Sequence, residues 1–379
     1  MKIIKRPVVL AAEEKAEWLE QIRRLGDPEK VFFMDIETTG FNRTYDSVYL
    51  TGFLFFEAGQ FYLEQHLASD LRDEPEIVEA FCERLSDAEQ VITFNGEMFD
   101  FPFMENRHRT LHVTAPWPTY GSCDLLRRYR PYQTLFGWEN CRLKTIERSL
   151  GVDREDVFTG GELIEVFETY ALQQDPELEK VLLLHNYEDI LNIPRLLRID
   201  QFIAVLHQTP VEQVQVLDRF VDQVRLRIVL EEPLPLSVES DLPYDRKYPD
   251  TLHFKTEAFS PVVFLELPVH HQLLYHYLPD PDQYYYLPES DSIIHKSLAD
   301  TLGAVKKRKA TAKTCRIPKE GDFLPVRGEQ EGLHTFRSEK KEPVVYFEKE
   351  EFQHWTEDAC AEALTAFFHS LLNIEKRSE

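Results

Sequence analysis

Positive charge is scarce in this chain: 43 Lys and Arg stand against 67 Asp and Glu in 379 residues, a formal net charge of −24. Proteins that coat nucleic acid or anionic membrane by bulk charge carry the opposite excess, so any contact with phosphate here has to be local. Cysteine is sparse and scattered. Cys82, Cys123, Cys141, Cys315 and Cys360 fall in no C-x-x-C or paired His/Cys spacing, poor material for a disulfide framework and consistent with a reducing cytoplasm. Glycine, at 14 residues, is far too rare for a collagen-like chain. No run of about 18 uncharged apolar residues occurs, and Met1 to Arg6 leads into no apolar core of the roughly 7–15 residues a secretory leader needs. The expectation is a cytoplasmic protein that neither crosses a membrane nor is exported. Against these absences stand 43% hydrophobic residues, enough to exclude a disordered chain, and a length that suits two domains of roughly 100–200 residues.

Hydrophobic periodicity orders the first half. Ala11 to Leu25 reads as an amphipathic helix stopped by Gly26-Asp27-Pro28, and Val31 to Ile36 as a buried strand. Val48 to Phe56 and Phe61 to Leu67, joined by Glu57-Ala58-Gly59-Gln60, read as a hairpin. A helix follows at Pro75 to Leu85, a strand at Gln90 to Phe94 and a helix opening near Phe99. Helical patterns then run over Asp124 to Tyr129, Leu143 to Leu150, Glu162 to Leu172 and Pro176 to Leu197. Such an order implies an α/β domain, a mixed sheet covered by helices. The expected boundaries are a helical extension at 1–29, this α/β domain at 30–205, and an α+β domain at 206–379. In the last part, Thr209-Pro210 predicts the start of a helix running to about Ile228. Strands are expected at Val262 to Leu267 and Val344 to Phe347, and a helix at Phe352 to Leu372.

The segment Phe32-Phe33-Met34-Asp35-Ile36-Glu37-Thr38-Thr39-Gly40 carries the strongest chemical signal. On a strand, residues i and i+2 share a face, so Asp35 and Glu37 project side by side from an otherwise apolar run. Two such carboxylates repel and lose hydration unless a cation lies between them, and oxygen-only donors suit Mg²⁺ or Mn²⁺. A strand end in solvent is the ordinary alternative. Two further segments favour the cation: Phe94-Asn95-Gly96-Glu97-Met98-Phe99-Asp100, a strand passing into a helix start, and His185-Asn186-Tyr187-Glu188-Asp189, where i, i+4 spacing puts His185 and Asp189 on one helix face. Four carboxylates of this kind suit two divalent metals acting on a phosphodiester.

Taken together, the Asp-x-Glu of Asp35 and Glu37, the Asn-x-x-x-Phe-Asp of Asn95, Phe99 and Asp100, and the late His185 and Asp189 resemble the three motifs of the DEDD 3′–5′ exonucleases. Leu143-Lys144-Thr145-Ile146-Glu147, Leu150-Gly151-Val152 and Asn186-x-Glu188-Asp189 are most similar to the bacterial YprB-type predicted exonucleases. The resemblance covers about residues 30–200. It implies a ribonuclease H-like fold with a mixed five-stranded sheet, and Asp35, Glu37, Asp100 and Asp189 as ligands of two Mg²⁺ or Mn²⁺ ions. It further implies Thr38, Thr39, Asn95 and Phe99 along the terminal nucleotide, and digestion of single-stranded DNA or RNA ends from 3′ to 5′. In that family the fourth acid follows Tyr by four residues or His by five; here His185 precedes Asp189 by four. His185 is either the base that orients water or a polar residue in helix packing. Tyr187 is expected to pack elsewhere, and Asp124 is either a fifth carboxylate near the sheet or, the preferred reading, the cap of the helix after it. Two other readings stay open: a non-catalytic nucleic-acid-binding or scaffold protein, and a structure-specific endonuclease.

Outside the motifs, Arg127, Arg128 and Arg130 form a small basic patch that either meets phosphate or is solvated. Lys306-Lys307-Arg308-Lys309 with Lys313, Arg316 and Lys319 is the densest basic stretch, close in sequence to Tyr284-Tyr285-Tyr286. It reads as a single-strand path or as a solvated loop beside a core strand. Val269 to His276 is expected as a surface helix, and the protein partner of residues 206–379 is not legible.

Overall fold

The computed structural model describes residues 1–219, 222–244, 250–302, 305–329, 332–342 and 344–372. The chain divides into two compact units, residues 1–133 with 138–200, and residues 134–137 with 201–379.

The first unit is built on a mixed sheet. Its strands are β1 (Lys2–Pro7), β2 (Val31–Thr38), β3 (Val48–Glu57), β4 (Gln60–Leu67), β5 (Gln90–Thr93) and β6 (Gly121–Asp124), in the spatial order β1-β4-β3-β2-β5-β6. β2, β3 and β4 run antiparallel in turn, whereas β5 and β6 continue from β2 in parallel. The sheet therefore has six strands and not the expected five. The extra one comes from the segment read as a helical extension: β1 pairs antiparallel with the distant β4, and its exposed, charged pattern carries no period by which to recognise it. Helix α1 (Ala12–Arg23) follows it, with α2 (Glu74–Arg84), α3 (Asp100–Thr110), α4 (Leu125–Tyr129), α5 (Leu143–Ser149), α6 (Gly160–Gln173) and α7 (Pro176–Gln208) after the strands.

β2 sits near the middle of the sheet, and its apolar residues are buried on both faces because helices cover both sides. The packing of α7 against this sheet depends on a missing side chain. Gly52 lies opposite Asp35 in the β2–β3 register. A Cβ there would collide with Asn186 Oδ1 and Ile190 Cδ1, both on α7. Replacing Gly52 by Ala is expected to push α7 outward at a cost of about 1–3 kcal/mol, read by denaturant unfolding. An unchanged midpoint would mean that α7 does not rest there. Further along, Pro194 lies inside α7 and removes one amide from its hydrogen-bond ladder.

The second unit is mostly β. β7 (Val211–Arg219), β8 (Gln223–Leu234), β9 (Val238–Pro243), β10 (Thr251–Thr256) and β11 (Ser260–Pro268) form a sheet in the order β7-β8-β11-β10-β9. β12 (His270–Tyr277), β16 (Arg316–Arg327) and β17 (Val344–Glu348) form a second sheet, and β13 (Tyr284–Leu287), β14 (Ser292–His295) and β15 (Arg308–Lys309) a third. Two helices, α8 (Lys349–Asp358) and α9 (Ala361–Leu372), end the described chain where one was expected.

Two sequence expectations fail in this unit. The helix predicted from Thr209 to Ile228 is the β7–β8 hairpin. Val224, Leu226, Ile228 and Leu230 are buried in strict alternation, a period-2 signal, but two bulges in β7 break its alternation and make it look helical. The His-rich stretch expected as a surface helix is strand β12, paired along its length with β16. Among the described residues, no helix is long and apolar enough to cross a membrane.

Candidate active site

The ends of β2, α3 and α7 bring the acids together. Asp35 and Glu37 leave β2 on the same side, and the amide between them, of Ile36, donates to Asp100 Oδ1 at 3.2 Å. That bond fixes the first residue of α3 against the strand. Asp100 arrives there because Asn95, two residues after β5, takes a left-handed turn (φ 74°), a conformation Asn tolerates. The turn is held by Asn95 N donating to Asp124 Oδ1 at 2.9 Å. The same oxygen accepts from Leu126 N at 3.0 Å at the start of α4, so Asp124 serves turn and helix together.

From the α7 side, Asn186 is fully buried; its Nδ2 donates to Asp35 Oδ2 at 3.0 Å, and its Oδ1 accepts from Gln65 at 3.0 Å. On the same stretch of helix, His185 and Asp189 face Glu37. His185 Nε2 is 3.5 Å from Glu37 Oε1 and 3.6 Å from Asp189 Oδ2, and ligand atoms of the three residues lie within 4.8 Å of one another. The other ring nitrogen of His185, Nδ1, lies 2.8 Å from Asp156 Oδ2. Lys144 Nζ holds that carboxylate at 2.7 Å. Because Asp156 can only accept, Nδ1 carries the hydrogen in this assignment. A neutral ring would then aim a bare Nε2 at two carboxylates, acceptor against acceptor, unless a proton, a water or a cation lies between.

The electrostatics point the same way. Burial, and then repulsion from Glu37, Asp189 and Asp100, hold the Asp35 carboxyl well above its ordinary range, and the Asn186 amide only partly offsets this. Burial also raises Glu37, followed by Asp189, Asp100 and Asp156. Asp100 is pushed up to about 7, chiefly by burial, although its own amide and that of Ile36 pull downward. Asp156 behaves oppositely: burial would raise it, but Lys144 and His185 bring it below the usual carboxylate value. A cluster of oxygen donors that resists ionisation on its own, with one imidazole at its edge, fits a hard divalent cation.

Four participants carry no signal in the sequence for the place they take. Arg154 is buried and ion-paired with Asp189, with Nε 3.4 Å from Glu147 Oε2 and 3.8 Å from Glu188 Oε2. Glu147 itself is pushed up to about 7, first by burial. Asp156 reaches His185 from 29 positions away. Lys144 and Glu147 lie in a motif quoted above, but their spacing gives no hint of a partner.

The remaining candidates sit at the rim. Thr38 Oγ1 donates to Gly40 O at 2.7 Å, and Thr39 Oγ1 accepts from Ser47 N at 3.0 Å, so both brace the loop after β2. In that loop Phe41 is 86% exposed, and its ring lies 6.0 Å from that of Phe99. Tyr187 faces away, under the Arg6 guanidinium at 5.5 Å. Arg127 and Arg128 are engaged by Glu97 at 2.9 Å and Asp200 at 2.6 Å, which commits most of that patch to internal ion pairs.

The sheet order and the acids grouped at the ends of β2, α3 and α7 define a ribonuclease H-like α/β domain. A family model described as RNase_H superfamily matches residues 32–199, the part of the chain that folds as this ribonuclease H-like domain. The uncharacterized protein YprB of Bacillus subtilis (strain 168) is 28% identical over 166 residues, 43% of this chain and 40% of that protein. The chain thus matches less than half the length of this curated relative. Among solved structures, E. coli exonuclease I in complex with a dT13 oligonucleotide is similar at 14% identity and a TM-score of 0.29, covering 52% of this chain and 54% of that one. The Aedes aegypti Nibbler EXO domain is similar at 13% identity and 0.29, covering 52% and 94%. A family B DNA polymerase from Pyrobaculum calidifontis gives 14% and 0.33, covering 72% and 40%.

Proposed function

We propose that the chain is a cytoplasmic, divalent-metal-dependent 3′–5′ exonuclease that hydrolyses phosphodiester bonds at single-stranded nucleic-acid ends. The observation that carries this reading is the grouping of Asp35, Glu37, Asp100 and Asp189, with His185 set against Glu37 and Asp189 and three of the acids held above their ordinary range. Two Mg²⁺ or Mn²⁺ ions held by Asp35, Glu37, Asp100 and Asp189 would supply the positive charge that attracts phosphodiester oxygens and makes water more acidic. His185 Nε2, oriented by Asp156 through Nδ1, accepts the proton of the attacking water. Thr38 and Thr39 shape the loop that receives the terminal nucleotide, Asn95 sets the turn beneath it, and Phe99 with the exposed Phe41 offers rings to its base.

The test is incubation of end-labelled single-stranded DNA and RNA with Mg²⁺ or Mn²⁺. A ladder of mononucleotides released from the 3′ end supports the proposal, internal cuts favour an endonuclease, and no cleavage with salt-sensitive binding favours a scaffold. One observation favours the scaffold reading: Arg154 already occupies Asp189. His185→Ala is expected to slow turnover by about 10²-fold, measured under saturating substrate. An undiminished rate would make His185 a packing residue only.

A further inference from the structure

We propose that the three-stranded sheet β13–β14–β15, with Arg316 beside it, is a binding surface for single-stranded nucleic acid in the second unit. No residue in these three strands is fully buried, and Tyr284, Tyr285 and Tyr286 all keep part of their surface open to solvent. The composition is the reverse of the whole chain: between Tyr284 and Lys319 there are eight basic residues and three acidic ones. Two of the acids are already used. Asp291 pairs with Arg316 at 3.1 Å, and Glu289 lies 3.9 Å from Lys306.

Cations and rings alternate on this sheet in a way a solvated loop would not need. Lys296 and Lys307 lie over the Tyr285 ring at 5.9 and 5.3 Å. Arg308 lies over Tyr286 at 4.9 Å, and Arg316 is stacked on Tyr275 of β12 at 3.6 Å. Arg316 spends donors on Asp291, whereas Arg308 is exposed, and a guanidinium lying over a ring at the surface can meet phosphate with paired edge donors. Lys309 and Lys313 are exposed and make no ion pair with the described residues. Half-buried rings set among such donors suit a strand whose bases stack and whose phosphates are neutralised one by one. A duplex hides its base faces and would use only the cations. In a chain of net charge −24 the contact must be short-ranged and strongly salt-dependent. The surface extends the nuclease proposal by giving a strand a second point of attachment, although its binding does not require that proposal to hold.

The experiment uses the full chain in EDTA, where a fluorescent 20-nucleotide oligo(dT) is titrated and anisotropy is followed from about 25 to 200 mM salt. Lys309→Glu/Lys313→Glu changes only exposed side chains and is expected to weaken binding about 10-fold or more and to lower the log–log salt slope by about 2. Tyr286→Ala/Arg308→Ala is expected to weaken oligo(dT) more than a blunt duplex of equal length. Arg24→Glu, which reverses one charge in the first unit, serves as the control. Equal losses in the control, an unchanged slope, or equal affinity for duplex and single strand would overturn the proposal. A chain that binds the oligonucleotide but never cleaves it with Mg²⁺ or Mn²⁺ retains this surface and loses the nuclease assignment. A chain that cleaves a dinucleotide but does not bind oligo(dT) retains the nuclease and loses this surface.

Discussion

Asp35→Asn is expected to reduce cleavage by about 10³-fold or more, a barrier increase of about 4 kcal/mol, while making the metal-free protein more stable at pH 8. The two effects share one cause. Asp35, Glu37 and Asp100 have raised folded-state pKa values, so the folded chain holds protons that the unfolded chain has released. Metal-free stability therefore falls as pH rises from the ordinary carboxylate range through about 7, the value reached by Asp100. Removing one of the repelling charges relieves part of that loss. Metal acts in the opposite sense, since it competes with protons for the same oxygens. Saturating Mn²⁺, at about 100 times its dissociation constant, is expected to stabilise the wild type by about 2.7 kcal/mol at pH 8 and by less at pH 5.5. In Asp35→Asn the Mn²⁺ gain should shrink at both pH values. Thermal unfolding at the two pH values, with EDTA or Mn²⁺, checks all of this. An Asp35→Asn protein that is inactive, no more stable without metal and equally responsive to Mn²⁺ would place the metal elsewhere.

The second large effect is expected at Arg154. Its guanidinium is the positive charge among Glu147, Glu188 and Asp189, and both it and Glu147 are almost fully buried. Arg154→Leu leaves those acids uncompensated, for which a loss of about 3–5 kcal/mol in denaturant unfolding at pH 8 is expected. The loss should diminish toward pH 5, because Glu147 is already pushed up to about 7 and then takes up a proton. Replacing both partners, Arg154→Leu/Glu147→Leu, should recover most of the stability, since an apolar pair carries no desolvated charge. A single substitution costing less than about 1 kcal/mol at pH 8 would show that Arg154 is not the counter-charge of this site.

How far the sequence revealed the molecule depended on the range of each interaction. Asp35 and Glu37 were legible because alternation along one strand places them, and His185 with Asp189 because one helical turn does. The β2 to β5 core followed from apolar runs and turn residues. What pairing across long separations decides was not legible. β1 joins β4 from some 60 residues away, and β12 is defined by its register with β16 and by no burial pattern of its own. The same holds within the site. Asp156 and Arg154 lie in a loop whose local sequence says nothing about α7, yet one orients His185 and the other meets Asp189. The β7 bulges show how the opposite error arises: one extra residue on a strand shifts its apolar positions toward helical spacing.

Pro194 bears on how motion is partitioned along α7. Without its amide, the carbonyl four residues earlier, at Ile190, has no helical donor, so the ladder is one rung short between the turn of His185 and Asp189 and the turns that follow. Amide exchange on the far side of the proline can then proceed by openings that leave residues 185–189 closed. A 33-residue helix would otherwise tend to fray inward as one unit. Amide exchange is therefore expected to be slower at residues 185–189 than in the turns after Pro194, as hydrogen exchange of the full chain would read.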